Sequence, residues 1–224
     1  MSDDGPESNA DDGFEVEVVP ALYGIAGRWF LEVVRGIGPE QWTEPGLGEW
    51  TVRELVGHAA RAFSTVSEYT FDGAEAEVVE VEIDDVLEYF RAALTVPDIH
   101  AGVLTRGREA GAALSVDPPE IVAEIESIVA AAMAVVDGAS LDAKSRTFAG
   151  VMWLVDFLDT RLVEAIVHTL DLCAATGQPL VPPAGPGQRV LDILSAFVRP
   201  DDRGAVILAL AGRRPLPIAY TTLA

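Results

Sequence analysis

Apolar residues recur at helical spacing through most of the chain. Leu22, Ile25, Trp29, Val33 and Ile37 fall three or four positions apart, which predicts an amphipathic helix over Val18 to Ile37 that Gly38-Pro39 stops. After a Gly-, Pro- and Trp-rich connection, Thr51-Val52-Arg53-Glu54 has the T-x-x-E form of a capping box and fixes a second helix start at Thr51. From there Leu55, His58, Ala59, Ala62, Phe63 and Val66 share one side, so an imidazole is placed among core positions. Ile83, Val86, Leu87, Phe90 and Leu94 predict a third helix that Pro97 ends. Asp117 as N-cap with Pro118 at the first helical position opens another, with core positions Ile121, Ile125, Ile128, Val129, Met133 and Val136 and Gly138 as terminator.

The longest helical pattern runs from about Val151 to Ala175 and ends at Gly177. A Pro/Gly spacer, "QPLVPPAGPG", then leads to two short helices, roughly Gln188 to Val198 and Asp202 to Ala211. The stretch "DIHAGVLTRGREAGAAL", with His100 and three glycines, gives no firm element, and His100 has no partner at ligand spacing. No segment alternates with strand period. Four substantial helices joined by long connections predict an all-α helix bundle over residues 15–177, with a disordered acidic tail at 1–14 and a short helical extension at 178–224.

Composition narrows the function classes. With 224 residues, about half apolar, one core is expected. Acidic residues outnumber basic ones 36 to 15, for a net charge of −21, and Lys144 is the sole lysine. A nucleic-acid partner requires clustered Lys and Arg, so that class is excluded, and the acidity is read as serving solubility. The first thirteen residues carry neither a basic nor an apolar targeting region, and no apolar run approaches the roughly 20 residues that span a bilayer. The expectation is a cytoplasmic protein with no membrane segment. Cys173 stands alone, which excludes an internal disulfide and is read as a small buried hydrophobe.

One feature of the longest helix breaks its apolar character. Arg161, Glu164, His168 and Asp171 are spaced three, four and three, so all four leave the same face. Spacing alone leaves two readings open. One is a solvated face with an Arg161–Glu164 surface ion pair. The other is a metal site, in which Glu164 and His168 at i and i+4 reach one cation and His58, from a facing helix, supplies a third donor.

The segments "EWTVRELVGHAA" and "RLVEAIVHTLDL" together resemble the paired motifs of the mycothiol-dependent maleylpyruvate isomerase N-terminal domain family, an actinobacterial branch of the DinB/YfiT-like superfamily. The shared features are a Trp before the capped, His-bearing helix, and E-x-x-x-H followed by Asp-Leu. The resemblance implies a DinB-like four-helix bundle holding a divalent metal, usually zinc, and it carries the ligand roles to His58, Glu164 and His168. In the isomerase a substantial further C-terminal domain contributes to the active site, whereas here only residues 178–224 follow, so the named reaction does not carry over.

Two imidazoles and one carboxylate leave a coordination position open, the pattern of a catalytic site. In the resembled family that position takes water or the sulfur of a low-molecular-weight thiol, which implies mycothiol as cofactor and a thiol-dependent transferase or isomerase acting on a small molecule. The same donors suit iron or nickel. Asp171 is expected to accept a proton from a ligand imidazole. Arg161 is expected either to hold a carboxylate of cofactor or substrate or to pair with Asp159 or Asp171. Two other functional classes remain: a non-catalytic metal-binding or stress-associated module of the same fold, and a purely structural oligomer, such as a homodimer, whose polar stripe lies at a subunit interface.

Overall fold

The structure is a computed structural model that describes residues 12–96, 99–218 and 220–222, with side chains from residue 18 onward apart from 99–101. The 1–14 tail thus lies largely outside the described residues, and so does the His100 side chain.

Four long helices form a ring: α1 (Asp12–Arg35), α2 (Val52–Tyr69), α6 (Pro118–Gly138) and α7 (Leu154–Thr176). Helices α1 and α2 each pack against both α6 and α7, which closes the bundle. Between α2 and α6 lie three shorter helices, α3 (Ala74–Val78), α4 (Val86–Leu94) and α5 (Ile99–Ala113); α8 (Ala184–Ala196) and α9 (Arg203–Leu210) follow α7. Among the described residues no helix is long and apolar enough to cross a membrane.

The capping box forms as the sequence predicts. The Glu54 backbone N–H donates to the Thr51 hydroxyl while the Thr51 N–H donates to the Glu54 carboxylate, at 3.3 and 2.8 Å. Val33 of α1 and Ile37 just beyond it are buried as expected, but the N-terminal part of the stripe is turned. Leu22, Ile25 and Trp29 are only partly buried, and Tyr23, Ala26, Phe30 and Val34 reach the centre instead. The cause is aromatic packing: Phe63 of α2 sits between Tyr23 and Phe30, with ring centroids at 5.3 and 5.5 Å. On α4, Tyr89 and Phe90 are buried, while Leu94, an expected core position, is 40% exposed. Asp117 precedes α6 in extended conformation, yet its side chain makes no capping bond.

Two elements were absent from the helical pattern. The glycine-containing stretch folds as α5, packed on α2 outside the ring. A Cβ on Gly57 would lie 2.5 Å from the backbone N of Gly111, and one on Gly107 would lie 2.3 Å from the Trp50 ring. The glycines therefore permit a close helix crossing, which outweighs their cost to helix propensity. The second element is an antiparallel sheet of β1 (Thr70–Phe71), β2 (Lys144–Arg146) and β3 (Val151–Trp153), in that order, with Thr70 opposite Ser145 and Lys144 opposite Trp153. Its last strand takes the first three residues of the expected long helix, because Gly150 at φ +139° turns the chain back along β2. The buried Lys144 donates to the Ala76 and Val79 carbonyls, both at 2.7 Å, and lies over the Trp153 ring.

The segment after Gly177 shares the bundle core through Val190 and Ile193 of α8. Arg189 donates from Nε and Nη2 to the two carboxylate oxygens of the buried Asp159 of α7, at 3.0 and 2.6 Å.

Candidate metal centre

The site forms where α2 meets α7. His58 stands two turns into α2, placed by the Thr51 cap, and α7 presents Glu164 and His168 on successive turns. The Nε2 atoms of His58 and His168 are 3.1 Å apart, and His168 Nε2 is 3.2 Å from Glu164 Oε2. One donor atom from each residue lies within 4.8 Å of both others. A tetrahedral ion with bonds of about 2.0–2.1 Å requires donors about 3.3–3.4 Å apart, so the three groups need only small adjustments to meet one cation. Among the described residues this is the only such group of three, and Cys173, buried with its thiol pushed up by burial, has no part in it.

The groups around these donors set their protonation. Asp171 Oδ2 lies 3.1 Å from His168 Nδ1, which fixes that ring's orientation and directs Nε2 toward His58 and Glu164. Burial alone would lower the His168 pKa, but hydrogen bonds to Asp171 and Glu164 outweigh it and raise it to about 9. His58 goes the other way, to about 4, first through burial and then through the charge of His168. Burial would raise Glu164, yet the His168 hydrogen bond and the nearby Arg161 charge hold it down at about 2. Without metal the two rings thus carry one net positive charge, on His168, whose Nε2 faces the same His58 and Glu164 atoms that would bind a cation. The Trp50 ring packs against His58 at 4.5 Å, and His58 Nδ1 is buried with no hydrogen-bond partner among the described residues.

His58 and Glu164 border a cavity of about 460 Å³. Its apolar wall includes Phe90, Val103 and Phe148; its polar wall brings Arg61 of α2, Arg106 of α5, Arg161 of α7, Tyr69 and Tyr89 to one space. Arg161 corrects the surface ion-pair reading. It is buried and bonds neither Glu164 nor Asp159 nor Asp171; its Nε donates to Thr160 Oγ1 at 3.0 Å, its Nη2 donates to Tyr89 Oη at 3.1 Å, and its guanidinium lies over the Phe157 ring. Arg61 was not singled out from the sequence, although its place three positions beyond His58 on the same helix is a signal that could have found it. Arg106 and Tyr89 gave no such signal, because α5 lacked a clear pattern and Tyr89 lies outside the expected stripe of α4.

Comparison with known proteins agrees with the motifs. No curated protein and no solved structure matches the chain. The mycothiol maleylpyruvate isomerase N-terminal domain family matches residues 24–173, which include His58, Glu164, His168 and Asp171. With about two thirds of its length matched, and with both site-bearing helices inside the match, the chain belongs to the mycothiol maleylpyruvate isomerase N-terminal domain family.

Proposed function

We propose that this chain is a divalent-metal-dependent transferase or isomerase of the cytoplasm that uses a low-molecular-weight thiol, mycothiol in view of its family, on a small-molecule substrate. The observation that carries the reading is the convergence of His58 Nε2, Glu164 Oε2 and His168 Nε2 at the edge of a cavity large enough for a small organic ligand. A bound divalent ion, most simply zinc, would supply Lewis acidity that favours the thiolate over the thiol at neutral pH. The chain's own residues do the rest. Asp171 orients His168, Trp50 and the α2–α5 crossing hold His58, and the apolar wall excludes water from the ligand. Arg61, Arg106 and Arg161 give this cavity a positive lining within a strongly acidic protein, which suits an anionic ligand.

The test is cobalt substitution. Elemental analysis of the purified protein should find one divalent ion per chain, and mycothiol added to the cobalt form should produce the intense near-ultraviolet absorption of a cobalt–thiolate bond. Cys173→Ser should leave that absorption unchanged. Bound metal without a thiol response would favour a non-catalytic metal-binding module, and a protein that cannot take up metal would overturn both readings.

A further inference from the structure

The Arg161–Tyr89 contact determines where one more proton points. A guanidinium only donates, so at 3.1 Å the Tyr89 oxygen is the acceptor. Arg161 is held in that direction: its Nε donates to Thr160 Oγ1, whose own hydroxyl donates to the Phe157 carbonyl at 2.7 Å, and its plane rests on the Phe157 ring. Arg161 is 9% and Tyr89 6% exposed, and among the described residues no acceptor meets the remaining phenolic O–H. The space beside it is the cavity, which both residues line together with Glu164, one turn further along α7. Phe90, Phe148 and Phe157 pack around the Tyr89 ring edge to face, which fixes the ring and therefore the arc its proton can sweep.

We infer that Tyr89 is a substrate-binding residue, its O–H aimed by Arg161 into the cavity to donate to a carbonyl or carboxylate oxygen of the ligand. A phenol that accepts from a guanidinium is polarised and is a stronger donor than a free one. It is suited to an oxygen that carries negative charge, or gains it during reaction. The ligand is thus gripped at two points, by the candidate metal centre at Glu164 and by the Tyr89 hydroxyl of α4, which Arg161 holds one turn of α7 away from Glu164. The inference rests on the proposed function only in taking this cavity as the place where the small molecule binds.

Sodium benzoate is a suitable probe, since it offers a carboxylate to Tyr89 and an aromatic face to Phe90 and Phe148. It is titrated into chelator-treated and zinc-loaded protein, with binding followed by calorimetry and by the near-ultraviolet difference absorption of tyrosine, and zinc content is measured in parallel. The wild type should show a tyrosine difference band that Tyr220→Phe retains; Tyr23 is fully buried with its hydroxyl donating to the Ala62 carbonyl, which leaves the band to Tyr69 and Tyr89 of the cavity wall. Tyr89→Phe, which keeps the ring contacts, should lose the band and bind benzoate about tenfold or more weakly; Arg161→Met should weaken both signals. A Tyr89→Phe protein of unchanged circular dichroism that binds benzoate as tightly as wild type would overturn the inference, as would the absence of any band in the wild type. Zinc binding with a silent tyrosine sinks this inference alone, and a responsive tyrosine in a protein that takes up no zinc sinks the metal reading alone.

Discussion

His58 Nε2 and His168 Nε2 face each other at 3.1 Å, although 110 positions separate them in the chain. Two imidazoles cannot both present lone pairs at that distance without repulsion, so a hydrogen or a cation has to lie between them. In the metal-free protein it is a proton, which Asp171 and Glu164 stabilise on His168. In the proposed function it is a divalent ion.

Removing a donor should therefore remove the metal. His58→Ala, Glu164→Ala and His168→Ala each leave two protein ligands, and each should weaken zinc binding at least about 100-fold, read by competition with a chromogenic chelator. Variants that bind zinc like the wild type would place the ion elsewhere.

Asp171→Asn should act indirectly. It keeps the shape but weakens the acceptor that orients His168 and raises its basicity, so zinc affinity should fall about 10- to 100-fold. The same substitution should lower the His168 pKa in the metal-free protein, observable by NMR of the ring protons.

The pH dependence follows from the two histidines. With His168 at about 9 and His58 at about 4, metal binding displaces one proton throughout that interval, so affinity should fall about tenfold per pH unit as pH drops from 9 toward 4. This differs from two ordinary imidazoles, whose affinity would fall only below about pH 6.5. Stability of the metal-free protein has the opposite signs on its two sides. The raised His168 pKa contributes stability below 6.5 that is lost as pH rises to about 9. The lowered His58 pKa withdraws stability as pH falls from 6.5 to about 4. Glu164 contributes above 4.5 and loses its contribution toward about 2. Urea melts of chelator-treated protein should therefore show a maximum near pH 6.5, and a flat profile would mean that the pair is not coupled in this way.

Gly57→Ala should destabilise the fold by about 1–3 kcal/mol. The added methyl would meet backbone atoms of Ala110 and Gly111 at 2.7 and 2.5 Å, and backbone cannot rotate aside as a side chain can. Urea denaturation measures this, and an Ala variant as stable as wild type would show that α5 crosses α2 less tightly.

The bundle was legible because its main helices carry both periodicity and punctuation: the Thr51–Glu54 box, Pro118 and Gly177 mark ends that the structure places within a residue or so. The three metal-site candidates were legible because i, i+4 spacing on α7 is a local property and His58 stood on the core-facing side of a capped helix, a pairing that the family motif then supported. What escaped depends on contacts between elements. The α5 glycines weaken a helix read in isolation and make sense only against Trp50, Glu54 and Gly57. Strands of two and three residues are too short for alternation to register, and they pair because α2 and α7 bring Thr70 and Trp153 to either side of Lys144–Arg146. Arg161 could not be assigned a partner from spacing, since Tyr89, the residue it bonds, comes from a helix 72 positions away.

Lys144 has a chemical consequence. Its amine is the only side-chain amine in the molecule, and it is spent on two carbonyls and an indole face. An amine-directed reagent consequently finds one side-chain target, and reaches it only when the segment from Ala76 to Val79 lifts off the small sheet. The rate of labelling at that one atom thus reads out how often this edge of the bundle opens, which makes the protein its own single-site reporter of local unfolding.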